Sequence, residues 1–209
     1  RTIRRIIKAK PTLEGAGVRL RRVFGFDELP EFDPFLLLDE IRSSNPQDYA
    51  AGFPWHPHRG IETISYLLEG TIEHQDSLGS KGVIKPGAVQ WMTAGSGIIH
   101  HATPRGDARG HLWGLQLWSN LPAARKMTPP RYREVKAGDI PEVDAGSGVK
   151  IRVICGEVAG VQGPVRDVVA HPAYLDITVP ARTDYLHLTR PVDTLFAYGL
   201  EGEALFARK

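Results

Sequence analysis

The chain has 209 residues, of which 42% are hydrophobic, enough to bury a core and too many for a disordered segment. Its formal net charge is +2, so it lacks the overall positive charge that grips nucleic acid, and direct nucleic-acid binding is not expected. No apolar run reaches the length of a membrane span, and the first residues lack a signal-like core, so we expect a cytoplasmic protein without a membrane partner.

Short strand-like segments dominate the chain, because 22 glycines and 16 prolines interrupt it. Between the interruptions lie runs rich in β-branched and aromatic residues, which are typical of strands. The predicted strands are Gly17–Phe24, Ile61–Leu68, Val89–Thr93, His111–Trp118, Lys150–Ile154, Tyr174–Val179, Tyr185–Leu188 and Thr194–Leu200. The best helical candidate is a turn at Leu121–Lys126. The pattern predicts an all-β sandwich or barrel.

Prolines and a glycine-rich run indicate a division of the chain into residues 1–120, a linker at 121–148 and a second β domain at 149–209. The short sequence around Glu201 and Gly202 is similar to the one around Glu69 and Gly70, yet only a few residues follow the segment around Glu201. We therefore expect the second domain to be partial, either as a fragment or as a sheet that another copy completes.

Two histidines two residues apart form the first half of a candidate metal site. His56 and His58 lie in an extended segment, where alternate residues point to the same face. The proline between them favours this extended conformation. Glu62 has the same parity, so its carboxylate joins them if Gly60 does not break the register.

A second histidine segment follows a glycine-rich turn and ends in His100 and His101. Histidines on separate strands can converge inside a barrel, and neutral imidazoles suit iron, nickel, copper or zinc. The alternative is a set of satisfied core histidines. We expect His74 on a hairpin rather than in the cavity, and the tryptophans Trp91, Trp113 and Trp118 in the core rather than stacked on a ligand.

The chain up to about Arg133 resembles the pirin family of the cupin superfamily. The resemblance lies in long, ordered phrases: DPFLLLDE at 33–40, HPHRGIET at 56–63, YLLEG at 66–70, PGAVQWMTAGSGI at 86–98 and GLQLW at 114–118. It implies a bicupin, two jelly-roll β-barrels in one chain, with one divalent metal in the first. The implied ligands are His56, His58 and His100, and the implied metal is Fe(II), with Ni, Cu, Zn or Mn as alternatives.

The family's fourth ligand, a glutamate, falls on Ala102, which can neither bind a metal nor move a proton. Three substitutes remain open for that position: water, Glu62 or His101. Of these, His101 faces away from His100 if the strand is regular.

The resemblance implies a quercetin 2,3-dioxygenase-type enzyme that opens a flavonol with dioxygen, and we assign Glu62 the role of proton acceptor. The alternative is a non-enzymatic, iron-binding regulator, similar to a transcription cofactor, that acts through a protein partner. The replacement at Ala102 favours that alternative. A third interpretation is a degenerate cupin that binds no metal.

Overall fold

A computed structural model describes residues 2–26 and 32–206, and its regular structure is almost entirely β. The strands are β1 (Lys10–Glu14), β2 (Val18–Phe24), β3 (Phe35–Ser43), β4 (Phe53–His58), β5 (Ile61–Glu69), β6 (Thr71–Asp76), β7 (Lys81–Ile84), β8 (Val89–Thr93), β9 (Ile98–Arg105), β10 (Leu112–Asn120), β11 (Arg131–Val135), β12 (Glu142–Asp144), β13 (Lys150–Cys155), β14 (Glu157–Val158), β15 (Val161–Gln162) and β16 (Tyr174–Thr178). Short 3-10 turns lie at Pro46–Asp48, Ala123–Arg125 and Ala137–Asp139. No helix within these ranges has the length and apolar character to cross a membrane. The all-β prediction is confirmed.

Two antiparallel sheets make up the first unit. The large sheet has seven strands in the order β1-β2-β3-β10-β5-β8-β11, and the small sheet has four in the order β4-β9-β6-β7. Strands that are consecutive in the chain, β4 with β5 and β8 with β9, belong to different sheets. The chain therefore passes from one sheet to the other at Gly60 and again at residues 94–97.

Alternation along β5 shows how the large sheet is buried on both faces. Leu67 faces the small sheet, in a cluster with Ile84 of β7. Ile64 and Tyr66 point the opposite way, in a cluster with Cys155 of β13. The free Cys155 thiol is buried, and burial raises its pKa to about 11, as expected for a small core residue rather than a reactive thiolate.

A second unit packs on this outer face. It contains a three-stranded sheet, β12-β13-β16, and the hairpin β14-β15. Residues 121–148 are not a bare linker, since β11 joins the large sheet and β12 joins the second unit. The proposed division at 120 and 149 stays a prediction.

Six of the eight strands predicted by name are present, with bounds that differ by two residues at most. The predictions at Tyr185–Leu188 and Thr194–Leu200 are wrong, since neither segment is a strand. Apolar residues of the latter pack on the first unit without strand pairing: the ring of Phe196 lies 5.2 Å from that of Phe24. The Tyr198 hydroxyl donates to Glu40 at 2.7 Å. An alternating apolar pattern thus indicates that one face of an extended segment is buried, and such burial does not require pairing in a sheet.

Candidate metal centre

Three histidines converge on the inner face of the small sheet. In the pairing of β4 with β9, His56 lies directly opposite His100, and His58 lies opposite Ile98. Directly paired residues and alternate residues share a face, so all three imidazoles point the same way. One ligand nitrogen from each lies within 4.8 Å of the others. The structure thus brings together the three residues that the sequence predicts as ligands.

Glycines lie at two of the crossings between the sheets, from β4 to β5 and from β8 to β9, and hold these strands in place. Gly60 adopts φ +71° and donates its N–H to the carbonyl of Gly95 at 2.8 Å. Gly95 adopts φ +52°, and a Cβ there would lie 2.0 Å from the carbonyl oxygen of Thr128. Only glycine fits this close approach. Because the crossings are hydrogen-bonded to each other, they fix the end of β4 at His58 against the start of β9, two residues before His100.

Burial keeps two of the rings neutral. It lowers the pKa of His58 to about 4, with a further contribution from His56. Burial also lowers the pKa of His100 to about 2, and the surrounding histidines add to this effect. Because protonation would block the nitrogen that binds a metal, this environment favours the metal-binding form of these imidazoles at neutral pH.

The hydrogen bonds of the rings also fit metal binding. His56 donates from Nδ1 to the carbonyl oxygen of Pro54 at 2.8 Å, which leaves a lone pair on Nε2. The Nε2 atom of His100 is buried and has no hydrogen-bond partner among the described residues. A backbone carbonyl that fixes the tautomer is a common support for metal-binding histidine. The donor set and the orphaned nitrogen therefore fit a divalent ion.

The structure does not bring Glu62 together with the histidines. Gly60 breaks the register between the two segments, and Glu62 lies on β5 of the large sheet. Its alternate neighbour Ile64 packs in the outer cluster with Cys155. Its carboxylate accepts the Thr93 hydroxyl at 2.7 Å and interacts electrostatically with Cys155. This position does not support ligation or proton transfer at the histidines.

Neither neighbour of His100 on β9 supplies the missing ligand. Ala102 shares the inner face with His100, but it ends in a methyl group. His101 points outward, with its ring 4.5 Å from that of Trp55. The geometry thus argues against Glu62 and His101 as the fourth ligand and leaves water as the remaining alternative.

Two further residues of the inner face, His74 and Asp76 on β6, were not predicted as part of the site. Both are buried, at 3% exposure each, and His74 contacts His100 through their Nδ1 atoms at 3.3 Å. The sequence signal is their alternation, which places both on one face of a strand. This alternation places the two residues beside His100 only once the pairing of β6 with β9 is known.

The tryptophans divide between the core and the site. Trp91 is buried in the outer cluster, and the Trp113 indole donates to Glu40 at 3.0 Å. Trp118 is only partly buried, and its ring lies 5.1 Å from that of His58. Phe26 is 56% exposed, and its ring lies 6.4 Å from that of Trp118, so an aromatic edge borders the histidines.

Comparisons with known proteins come to a consistent result. A family model described as Pirin matches residues 17–119. A pirin-like protein of Caulobacter vibrioides is 46% identical over 184 residues, covering 88% of this chain and 66% of that protein. A Vibrio cholerae protein provisionally named as a quercetin 2,3-dioxygenase is 38% identical over 206 residues, covering 97% of this chain and 72% of that protein.

A solved structure is also similar. The crystal structure described as quercetin 2,3-dioxygenase from Acinetobacter baumannii has a TM-score of 0.68 and 36% identity, covering 77% of this chain and 58% of that chain. The chain thus spans less than two thirds of that structure and of the Caulobacter protein.

Proposed function

The chain belongs to the pirin family of cupin-type proteins, and from that premise we propose that His56, His58 and His100 bind one divalent metal ion, Fe(II) in the first instance. We propose further that the site acts on a flavonol with dioxygen, as the names of its relatives suggest. The observation that carries the metal proposal is the convergence of three ligand nitrogens within 4.8 Å. Imidazoles suit iron, nickel, copper and zinc, so supply and geometry decide between these metals.

The protein's own residues would hold and orient the reactants. Pro54 fixes the tautomer of His56, and burial keeps His58 and His100 neutral. The aromatic edge of Trp118 and Phe26 offers flat surfaces beside the histidines, on which the rings of a flavonol can stack. A metal held by the three histidines would supply charge stabilisation and orientation of the substrate for ring opening.

The chain lacks a carboxylate placed to accept the proton of the substrate. The Glu62 carboxylate accepts a hydrogen bond from Thr93 on the face of β5 that points away from the histidines. Ala102 has no ionisable group. The hydroxyl proton of the flavonol would therefore leave to solvent rather than to a carboxylate. We expect slow turnover that increases with pH as more of the substrate ionises.

The adjacent residues His100 and His101 offer a matched test. Protein prepared without chelator or nickel resin is assayed for metal, loaded anaerobically with Fe(II) and then given quercetin while oxygen uptake is recorded. We expect about one metal per chain. We also expect loss of metal and uptake in His100→Ala, and retention of both in His101→Ala, whose ring faces Trp55. Equal metal content in the two variants would contradict the proposed site.

The second candidate function is a metal-binding regulator without turnover, and the replacement of the family's glutamate by Ala102 favours it. The same experiment separates the candidates. Stoichiometric iron in His101→Ala and wild type, with no oxygen uptake on quercetin, supports the regulator. Absence of metal from all three proteins supports a cupin whose histidines serve only the core.

A further inference from the structure

A buried pair of residues lies beside His100, on the strand that pairs with β9. His74 and Asp76 occupy alternate positions of β6 and so share the inner face. In the pairing of β6 with β9, His74 lies opposite Ala102 and Asp76 lies opposite His100. A glutamate at position 102 would project beside His74, whereas alanine leaves that part of the face to the His74 ring.

Several hydrogen bonds and one ring contact hold this pair in place. The His74 Nε2 atom lies 3.4 Å from Asp76 Oδ2. The other carboxylate oxygen of Asp76 accepts the backbone N–H groups of Leu78 at 2.9 Å and Ser80 at 3.0 Å. The His74 ring stacks on Tyr132 with centroids 4.8 Å apart and planes 23° apart. A side chain held in this way presents its remaining nitrogen in one direction.

That nitrogen, His74 Nδ1, faces the Nδ1 of His100 at 3.3 Å. A hydrogen bond between the two needs one donor and one acceptor. The Asp76 carboxylate accepts only, so it favours N–H on His74 Nε2 and a lone pair on His74 Nδ1. His100 then carries its proton on Nδ1. Its lone pair falls on Nε2, the buried atom without a hydrogen-bond partner among the described residues.

We propose that His74 is a positioning residue of the metal site: held by Asp76, it accepts the Nδ1–H of His100 and sets the tautomer and ring orientation in which His100 binds the metal. This proposal rests on the proposed metal site and deepens it. Supports of this kind, behind a metal-binding histidine, change metal affinity by about 10–100-fold when they are removed.

Three substitutions at one position test the proposal. His74→Phe keeps a ring to stack on Tyr132 but removes both nitrogens. His74→Asn places an amide oxygen near the position of Nδ1, where it can accept the His100 proton. His74→Gln, matched in polarity, carries its amide farther out, near the position of Nε2. The probe is Co(II) added to the metal-free proteins, with affinity measured by chelator competition and the site geometry by the visible absorption of the bound ion.

We expect Co(II) binding to weaken by about 10–100-fold in His74→Phe and His74→Gln, and to return to within a few-fold of wild type in His74→Asn. Long-range proton–nitrogen NMR of the metal-free protein should show His100 protonated on Nδ1 in wild type and in His74→Asn. If His74→Phe does not fold, the comparison of Asn with Gln still decides.

Two different failures are distinguishable. If wild type binds Co(II) and all three variants bind it equally, the role of His74 is overturned while the metal site stands. If wild type binds no Co(II), the metal site and the role of His74 both fall. Protonation of His100 on Nε2 in the wild-type spectrum would overturn the tautomer argument independently of any metal.

Discussion

Acidification of the metal-free protein should destabilise it through His100. This residue is 8% exposed, and burial together with neighbouring histidines lowers its pKa to about 2. In the unfolded chain the same imidazole titrates near the ordinary value of about 6.5. As the pH falls from about 7.5 to about 5.5, the folded state therefore binds no proton at His100, whereas the unfolded state becomes protonated as the pH passes about 6.5.

The sign and size of the effect follow from linkage. Above about pH 6.5 both states are neutral at His100 and stability does not change. Below it, the unfolded state gains a proton, so the free energy of unfolding falls as the pH falls toward the folded-state value. Over the interval from about pH 7.5 to about pH 5.5 this single group costs about 1.4 kcal/mol.

Urea unfolding of chelator-treated wild type and His100→Asn at the two pH values measures this effect. Asparagine keeps a polar group that can donate to His74 but does not titrate. Other groups titrate in both proteins and cancel in the difference. Wild type should therefore lose about 1.4 kcal/mol more than the variant. Equal losses in the two proteins would show that His100 is accessible to protons in the folded state, and would refute the burial on which the metal site depends.

Two further substitutions test the chemistry and the crossing between the sheets. Ala102→Glu should raise oxygen uptake on quercetin by about 100-fold, because a carboxylate on the inner face restores a base. Ala102→Gln, equal in size, should not, and equal rates in the two variants would exclude proton transfer as the limiting step. Gly95→Ala should lower the free energy of unfolding by more than about 2 kcal/mol, because its Cβ would lie 2.0 Å from the Thr128 carbonyl oxygen. Gly79→Ala, also at positive φ but with no atom within 4 Å, should cost only about 1 kcal/mol, and equal losses would contradict the argument from close approach.

Local spacing was sufficient to predict that two of the three histidines share a face. Alternation in an extended segment places His56 and His58 on one face whatever the rest of the fold does. His100 required one further assumption, that a glycine-rich turn returns the chain beside the first pair. The fold meets this assumption, since β4 and β9 are hydrogen-bonded neighbours with His56 opposite His100.

The position of Glu62 shows where such reasoning fails. Counting residues from His58 gives the right parity only if the strand continues, and at Gly60 the chain leaves the small sheet for the large one. The role of His74 was beyond local spacing for a related reason. Its neighbour His100 is 26 residues away in the sequence. The pairing of β6 with β9 depends on the tertiary fold and cannot be read from either segment alone.

Most of the candidate metal site does not depend on the side chain at position 102. The three imidazoles, the carbonyl that orients His56 and the His74–Asp76 pair beside His100 would together support one ion. The resemblance implies a glutamate at position 102 as a fourth ligand, and Ala102 removes that carboxylate while the three imidazoles remain together. We therefore expect the replacement at position 102 to lower turnover more than it lowers metal affinity. Metal binding is then common to the two candidate functions, and oxygen uptake on quercetin by the iron-loaded wild-type protein is the measurement that distinguishes them.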